Sequence, residues 1–209
     1  LKHSHRLNYF TELVLTKLHA ADKINTKIAM VSVADAFGIE LSTAARPAFQ
    51  KAGFELVMDE SYQITTEDFS QLINSAKASG ADTFVAFSYP PDTFGLTGTA
   101  IALSYNPPAF YTAVGTAFSI YRDALFHENV DGVLGVGGVN TDDPKFKEYS
   151  KRHLEVTGQL PDYWASPVTY ASLEILQQAI ERVGKIDNAA IIKEIQTGSF
   201  DTVAGTIKF

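Results

Sequence analysis

The sequence predicts an α/β fold, a parallel sheet flanked by helices on both faces, followed by a mostly helical segment. Three observations point there. Short β-rich runs alternate with helical patterns over the first two thirds of the chain, the rhythm of β-α-β units. Most of the β-rich runs are nearly continuous in apolar residues, as strands covered on both faces must be. After Val139 that rhythm stops, and helical patterns follow one another without an intervening strand.

The predicted strands are 27–34, 54–58, 83–88, 109–112 and 132–136. Between the first two, Leu41, Ala44, Ala45, Ala48, Phe49 and Ala52 recur at helical spacing, with Gly53 as the stop and Pro47 inside the pattern as an expected kink. Phe69, Leu72, Ile73 and Ala76 form a second stripe. Thr65 and Asp68 at capping-box spacing open it, and Gly80 closes it. The turn-like "NTDDPKF" then leads into helices predicted over 143–158, 164–183 and 188–197. In the second of these, Val168, Ile175, Leu176, Ala179, Ile180 and Val183 share one face. A boundary near Asn140 divides the chain into 1–139 and 140–209, and a strand pattern has just begun at the closing "GTIKF".

Composition narrows the function. With 209 residues, 45% of them hydrophobic, the chain can bury one large core or two smaller ones. Its net charge of −7 is scattered, without a run of like charges, which argues against nucleic acid and acidic membrane surfaces as partners. No cysteine occurs, so disulfides, thiolate zinc sites and cysteine nucleophiles are excluded. The apolar runs, "IAMVSVA" among the longest, fall far short of a membrane span.

Motifs for chemistry are missing. The turn after the first strand, "VADAFGIE", carries one glycine where a dinucleotide site needs a glycine-rich loop at a helix N-terminus. The cluster "GVLGVGG" precedes a turn and not a helix. There is neither a GxSxG elbow nor a Walker A lysine. The "HSH" at 3–5 has no third ligand near it in sequence, and His19, His127 and His153 stand alone. Asp142 and Asp143 directly precede Pro144, which suits a helix start better than acid-base work. No catalytic residue, metal or cofactor is expected.

The turns after the strands remain. Ligands of open parallel sheets bind at the carboxyl ends of the strands. The first such turn holds Asp35, Ala36, Phe37 and Gly38; the third holds Ser88, Tyr89, Pro90, Pro91 and Asp92; the fourth holds Ala113, Val114, Gly115 and Thr116. Phe37 and Tyr89 are large rings where turns usually carry small polar residues. They could pack beneath a helix. They could also wall a cleft, with the Tyr89 hydroxyl orienting a polar ligand.

These pieces resemble the leucine/isoleucine/valine-binding protein family of periplasmic binding proteins. "VADAFGIEL" is similar to the family's D-x-x-Y-G turn, with Phe37 in place of tyrosine. "TEDFSQLINSAKASGADTFV", "AFSYPPDTFGLTGTA", "FYTAVGTAF", "VDGVLGVGG" and the stretch from "VTYASLEILQQAIERVGKIDNAA" to the end follow in the family's order. The resemblance implies a two-lobe, non-catalytic receptor, periplasmic or extracellular, monomeric, that closes on a small molecule and presents it to the membrane permease of an ABC importer. It implies that 1–139 is the second lobe and 140–209 a part of the first, whose opening β-α units precede Leu1. The expected ligand contacts are Ala36, Phe37, Tyr89, Pro90, Ala113, Val114 and Trp164.

Amino-acid-binding members place an acidic residue after the fourth strand, opposite the α-ammonium; here that stretch reads Ala113, Val114, Gly115. A buried ammonium without a partner is costly. An aliphatic or aromatic carboxylate without an amine is therefore the expected ligand, with an amino acid as the alternative. A sensory domain of the same fold and a small α/β enzyme are the competing functions; the enzyme would need a catalytic pair or cofactor loop that the sequence does not show.

Overall fold

The computed structural model describes residues 10–209, so the histidines at 3–5 lie outside the described residues. Contacts divide the chain into two compact units. One runs to Thr116 and resumes over Ile120–Val136; the other comprises Ala117–Ser119 and Gly137–Phe209.

In the first unit, a π-helical turn Thr11–Leu15 leads into a short helix α1 (Thr16–Ala20). There follow β1 (Lys27–Val33), α2 (Ala36–Lys51), β2 (Glu55–Tyr62), α3 (Ser70–Ala78), β3 (Thr83–Phe87), α4 (Pro90–Ala102) and β4 (Ala109–Thr112). The four strands are parallel, in the order β2-β1-β3-β4. Alternation along each strand sorts the core into two layers. Ala29, Val31, Val33, Phe84, Ala86 and Phe110 face α3 and α4 through Leu72, Ile73, Ala76, Leu96 and Ala100. Ile28, Met30, Val85, Phe87 and Tyr111 face α2 through Leu41, Ala45 and Phe49. Both faces of the sheet are covered, as the unbroken apolar runs require.

Several elements differ from expectation. The predicted strand 132–136 is reduced to a single parallel bridge, Leu134 to Tyr111, because glycines at 132, 135 and 137 leave little to pack or to stiffen it. β2 extends four residues beyond its predicted end; it is an edge strand, and its polar Asp59, Glu60 and Ser61 are exposed. Asp68, and not Thr65, meets the first free N–H of α3, that of Ser70 at 2.9 Å. α2 starts five residues before the predicted stripe, and Pro47 sits inside it without ending it.

The segment read as a turn at 88–92 is the start of α4. Pro90 and Pro91 occupy the first two helical positions, where no amide donor is needed and the fixed φ suits the helix.

The second unit contains α5 (Pro144–Thr157), α6 (Ala165–Val183), α7 (Asn188–Thr197) and an antiparallel hairpin of β5 (Ser199–Thr202) and β6 (Gly205–Lys208). The helices lie within a residue of prediction. Asp143 caps α5 through the Lys145 N–H at 2.8 Å, and Asp187 caps α7 through Ala190 at 3.1 Å. Ile175 and Ala179 pack with Ile191 and Phe200, while Phe146, Ala171 and Val203 form a second small cluster. Val168 and Leu176, expected on the buried face of α6, are 40% and 41% exposed, so the apolar face of that helix is wider than its cover. No helix of the described residues is long and apolar enough to cross a membrane.

Candidate ligand-binding site

The strand order reverses between β1 and β3. From the carboxyl end of β1 the chain passes into α2 on one face, and from β3 into α4 on the other. Such a topological switch opens a crevice between two helix N-termini at the strand ends, where ligands of open α/β sheets bind. The turns 34–38 and 88–92 lie there.

Sequence dictates the first turn. Asp35 leaves β1 in an extended conformation, and its Oδ1 accepts from the Gly38 N–H at 3.0 Å, capping α2. Glycine is required at 38: a Cβ there would lie 1.9 Å from the Val33 carbonyl oxygen. Helix and strand therefore meet backbone to backbone, and Phe37 is carried up to the crevice.

The second turn is built around Asp92. Its buried carboxylate (6% exposed) accepts from the Tyr62 hydroxyl at 3.2 Å and more weakly from the Tyr89 N–H at 3.4 Å. Beside it, the buried hydroxyls of Ser88 and Thr93 share a hydrogen bond of 2.7 Å. Tyr89 then crosses the switch. Its hydroxyl donates to Asp35 Oδ2 at 2.8 Å, and its ring stacks on Phe37 with centroids 4.9 Å apart and planes 24° apart.

Charge is distributed unevenly across this network. The Gly38 N–H, and after it the Tyr89 hydroxyl, hold the Asp35 carboxyl below its ordinary value, so Asp35 is a fixed anion at the crevice. Burial pushes Asp92 the other way, upward. Burial, then the neighbouring carboxylates Asp92 and Asp35, raise Tyr62, which stays a neutral donor.

Of the residues expected at the site, Phe37 and Tyr89 are in contact and both partly exposed. Ala36 is exposed as the first residue of α2, and Pro90 is partly exposed as the first of α4. Ala113 and Val114 follow β4 and are buried, at 2% and 7% exposure; the Ala113 N–H donates to the Ala86 carbonyl at 3.0 Å, so its backbone extends the sheet. Trp164 belongs to the second unit, just before α6. Sequence reasoning missed Asp35, Asp92 and Tyr62 as parts of the network. An aspartate just ahead of a glycine-bearing helix start was the available signal for the first; nothing in sequence brings Tyr62 to Asp92.

The second unit has a concavity of its own, a groove of about 600 Å³ between α5 and α6. Tyr149, Val156, Tyr170 and Leu173 give it mostly apolar walls, with Arg152 and His153 among its lining residues. The switch point is the better candidate because polar groups and rings converge there on helix N-termini. Among the described residues, no group of three or more histidine, aspartate or glutamate side chains comes together as a metal site.

A family model described as periplasmic binding protein matches residues 11–209. Among curated proteins, Leu/Ile/Val-binding protein homolog 7 of Brucella abortus is 26% identical over 177 residues, covering 81% of this chain and 44% of the relative. The chain thus spans less than half the length of that relative. Among solved structures, an amino acid ABC transporter substrate-binding protein from Pseudomonas fluorescens superposes with a TM-score of 0.82 at 18% identity, over 97% of this chain and 54% of that one. The branched-chain amino acid transporter substrate binding protein of Streptococcus pneumoniae, in complex with isoleucine, gives 0.79 at 15% identity, over 94% and 56%. Both likenesses establish the fold.

Proposed function

Since the chain belongs to the periplasmic binding protein family, we propose that it is the ligand-binding part of a non-catalytic receptor that captures a small organic solute outside the cytoplasm and delivers it to the permease of an ABC importer. One observation carries this reading. The rings of Phe37 and Tyr89 stack across the switch point beside the charged carboxylate of Asp35, which gives an amphipathic molecule an apolar wall and a polar anchor together. Ligand shifts an open and closed equilibrium by binding the closed form better, without covalent chemistry.

For the ligand we favour an amino acid. The curated relatives are named for leucine, isoleucine and valine, and Asp35 offers an ammonium group the partner that the stretch after β4 lacks. Val114 supports a second reading, an amine-free carboxylate, because no acid stands at its position. In the same way 1–139 reads as one lobe and 140–209 as part of another, with the wide apolar face of α6 consistent with further cover in the full-length protein.

A thermal-shift screen of the full-length protein against amino acids, aromatic acids and short fatty acids tests the reading. A ligand at 100 times its Kd adds about 2.7 kcal/mol of stability. Stabilisation by a member of either class supports the receptor and selects the ligand chemistry. No stabilisation by any of them, with turnover of one, would transfer the site to an enzyme.

A further inference from the structure

Three features stand outside the reading above: the apolar groove between α5 and α6, the small cavity beside Tyr105, and the buried carboxylate of Asp92. The third carries an inference. Asp92 occupies the third position of α4, where a carboxylate ordinarily reaches back to the chain while facing water. Here it is buried, and burying a carboxylate costs free energy unless donors surround it. Two donors do. The Tyr62 hydroxyl comes from the last residue of β2, and the Tyr89 N–H from the turn that leads into α4. Tyr62 is held in turn by Phe69, edge to face at 5.3 Å.

The consequence is geometric. Asp92 fastens the backbone of Tyr89 to the carboxyl end of β2, while the side chain of the same residue reaches Asp35 at the head of α2. We infer that Asp92 is a positioning residue for ligand recognition: through Tyr62 and the Tyr89 N–H it holds the Tyr89 ring on Phe37 and its hydroxyl on Asp35, and so sets affinity without touching ligand. This rests on the proposed binding role of the Phe37–Tyr89 pair. The titratable groups around Asp92 are Tyr62, Tyr89 and Asp35. Asparagine at 92 would keep an oxygen that accepts from both donors and remove only the charge. Leucine would leave the Tyr62 hydroxyl without this acceptor and free the first turn of α4.

The test uses the full-length protein and three variants, Asp92→Asn, Asp92→Leu and Thr97→Val. Thr97 lies on the same helix, bonded to the Tyr121 hydroxyl at 2.9 Å and outside the Asp92 network, so its substitution reports on stability alone. Two quantities are read: the ring-proton shifts of Tyr89, which the stacked Phe37 displaces, and the affinity for L-isoleucine by calorimetry. Asp92→Leu is expected to abolish the ring-current displacement and weaken isoleucine by about tenfold or more, the loss that follows when buried hydrogen bonds are broken on one side. Asp92→Asn is expected to keep the displacement and to stay within about threefold in affinity. Thr97→Val should lower the melting temperature and change neither.

Tyr89 ring shifts that stay displaced by Phe37 in Asp92→Leu, or equal losses in Thr97→Val, would overturn the inference. If Asp92→Leu does not fold, Tyr62→Phe takes its place, with a smaller loss in the same direction expected. If the wild-type protein does not bind isoleucine, the amino-acid reading fails, and the ring shifts, recorded without ligand, still decide the role of Asp92.

Discussion

The Tyr89 hydroxyl donates to Asp35 Oδ2 at 2.8 Å while the ring that bears it lies stacked on Phe37. One side chain thereby joins the N-termini of two helices that leave the sheet on opposite faces. Tyr89→Phe separates the two contacts, since it keeps a ring and removes the donor. Stability should fall by about 0.5–1.5 kcal/mol, the usual net worth of a hydrogen bond. The Asp35 carboxyl should rise toward its ordinary value, because one of the donors that lowers it is gone. Urea denaturation and a carbon-detected carboxylate titration measure the two effects.

Gly38→Ala should be far more damaging than its size suggests. The added Cβ would sit 1.9 Å from the Val33 oxygen and 2.8 Å from the Val33 carbonyl carbon, both backbone atoms of a central strand. Relief requires α2 to slide off β1. A loss above about 3 kcal/mol, beyond the common range for single substitutions, is expected in chemical denaturation.

In the second unit, Asp162 accepts from the N–H groups of Trp164 at 2.8 Å, Ala165, and Ser166 at 3.1 Å, and from the Ser166 hydroxyl. Burial pushes its carboxyl up, and hydrogen bonds from Ser166, Trp164 and Ala165 more than reverse that, leaving it lowered. A carboxyl with a depressed folded value stabilises the fold above its unfolded value, near 3.8, and loses that contribution as pH falls through the folded value. Asp162→Ala should therefore cost about 1 kcal/mol near neutral pH, as loss of a helix cap does. The urea midpoints of variant and wild type should converge in acid.

Val114→Glu tests the origin of ligand choice. Position 114 follows β4 and is buried, so a carboxylate placed there would need a cationic partner. Competition binding between an amino acid and the amine-free acid of the same side chain should move toward the amino acid. An unchanged ratio would mean that position 114 does not meet the amino group.

Much of this architecture was legible because burial on both sheet faces leaves continuous apolar runs; β1 and β3, entirely apolar but for Lys27, Ser32 and Thr83, are the clearest cases. β2 escapes that rule because its outer half is exposed, which is why its polar residues were missed. α4 was hidden because Pro90 and Pro91 read as turn residues, although they are equally at home in the first turn of a helix. The two rings of the site were visible as residues out of place in turns. The carboxylate network was not, because Tyr62 and Asp92 are 30 residues apart and come together through the pairing of both β2 and β3 with β1.

The central claim is that ligand rests on the Phe37–Tyr89 pair at the switch between β1 and β3. The most direct measurement is a calorimetric titration of the full-length protein and its Tyr89→Ala variant with L-isoleucine and with its amine-free counterpart, 3-methylpentanoate. The account predicts that one of the two binds the wild type with one-to-one stoichiometry, and that Tyr89→Ala weakens it by at least about tenfold, or 1.4 kcal/mol. A ligand that binds both proteins equally well would contradict it and place recognition elsewhere on the molecule.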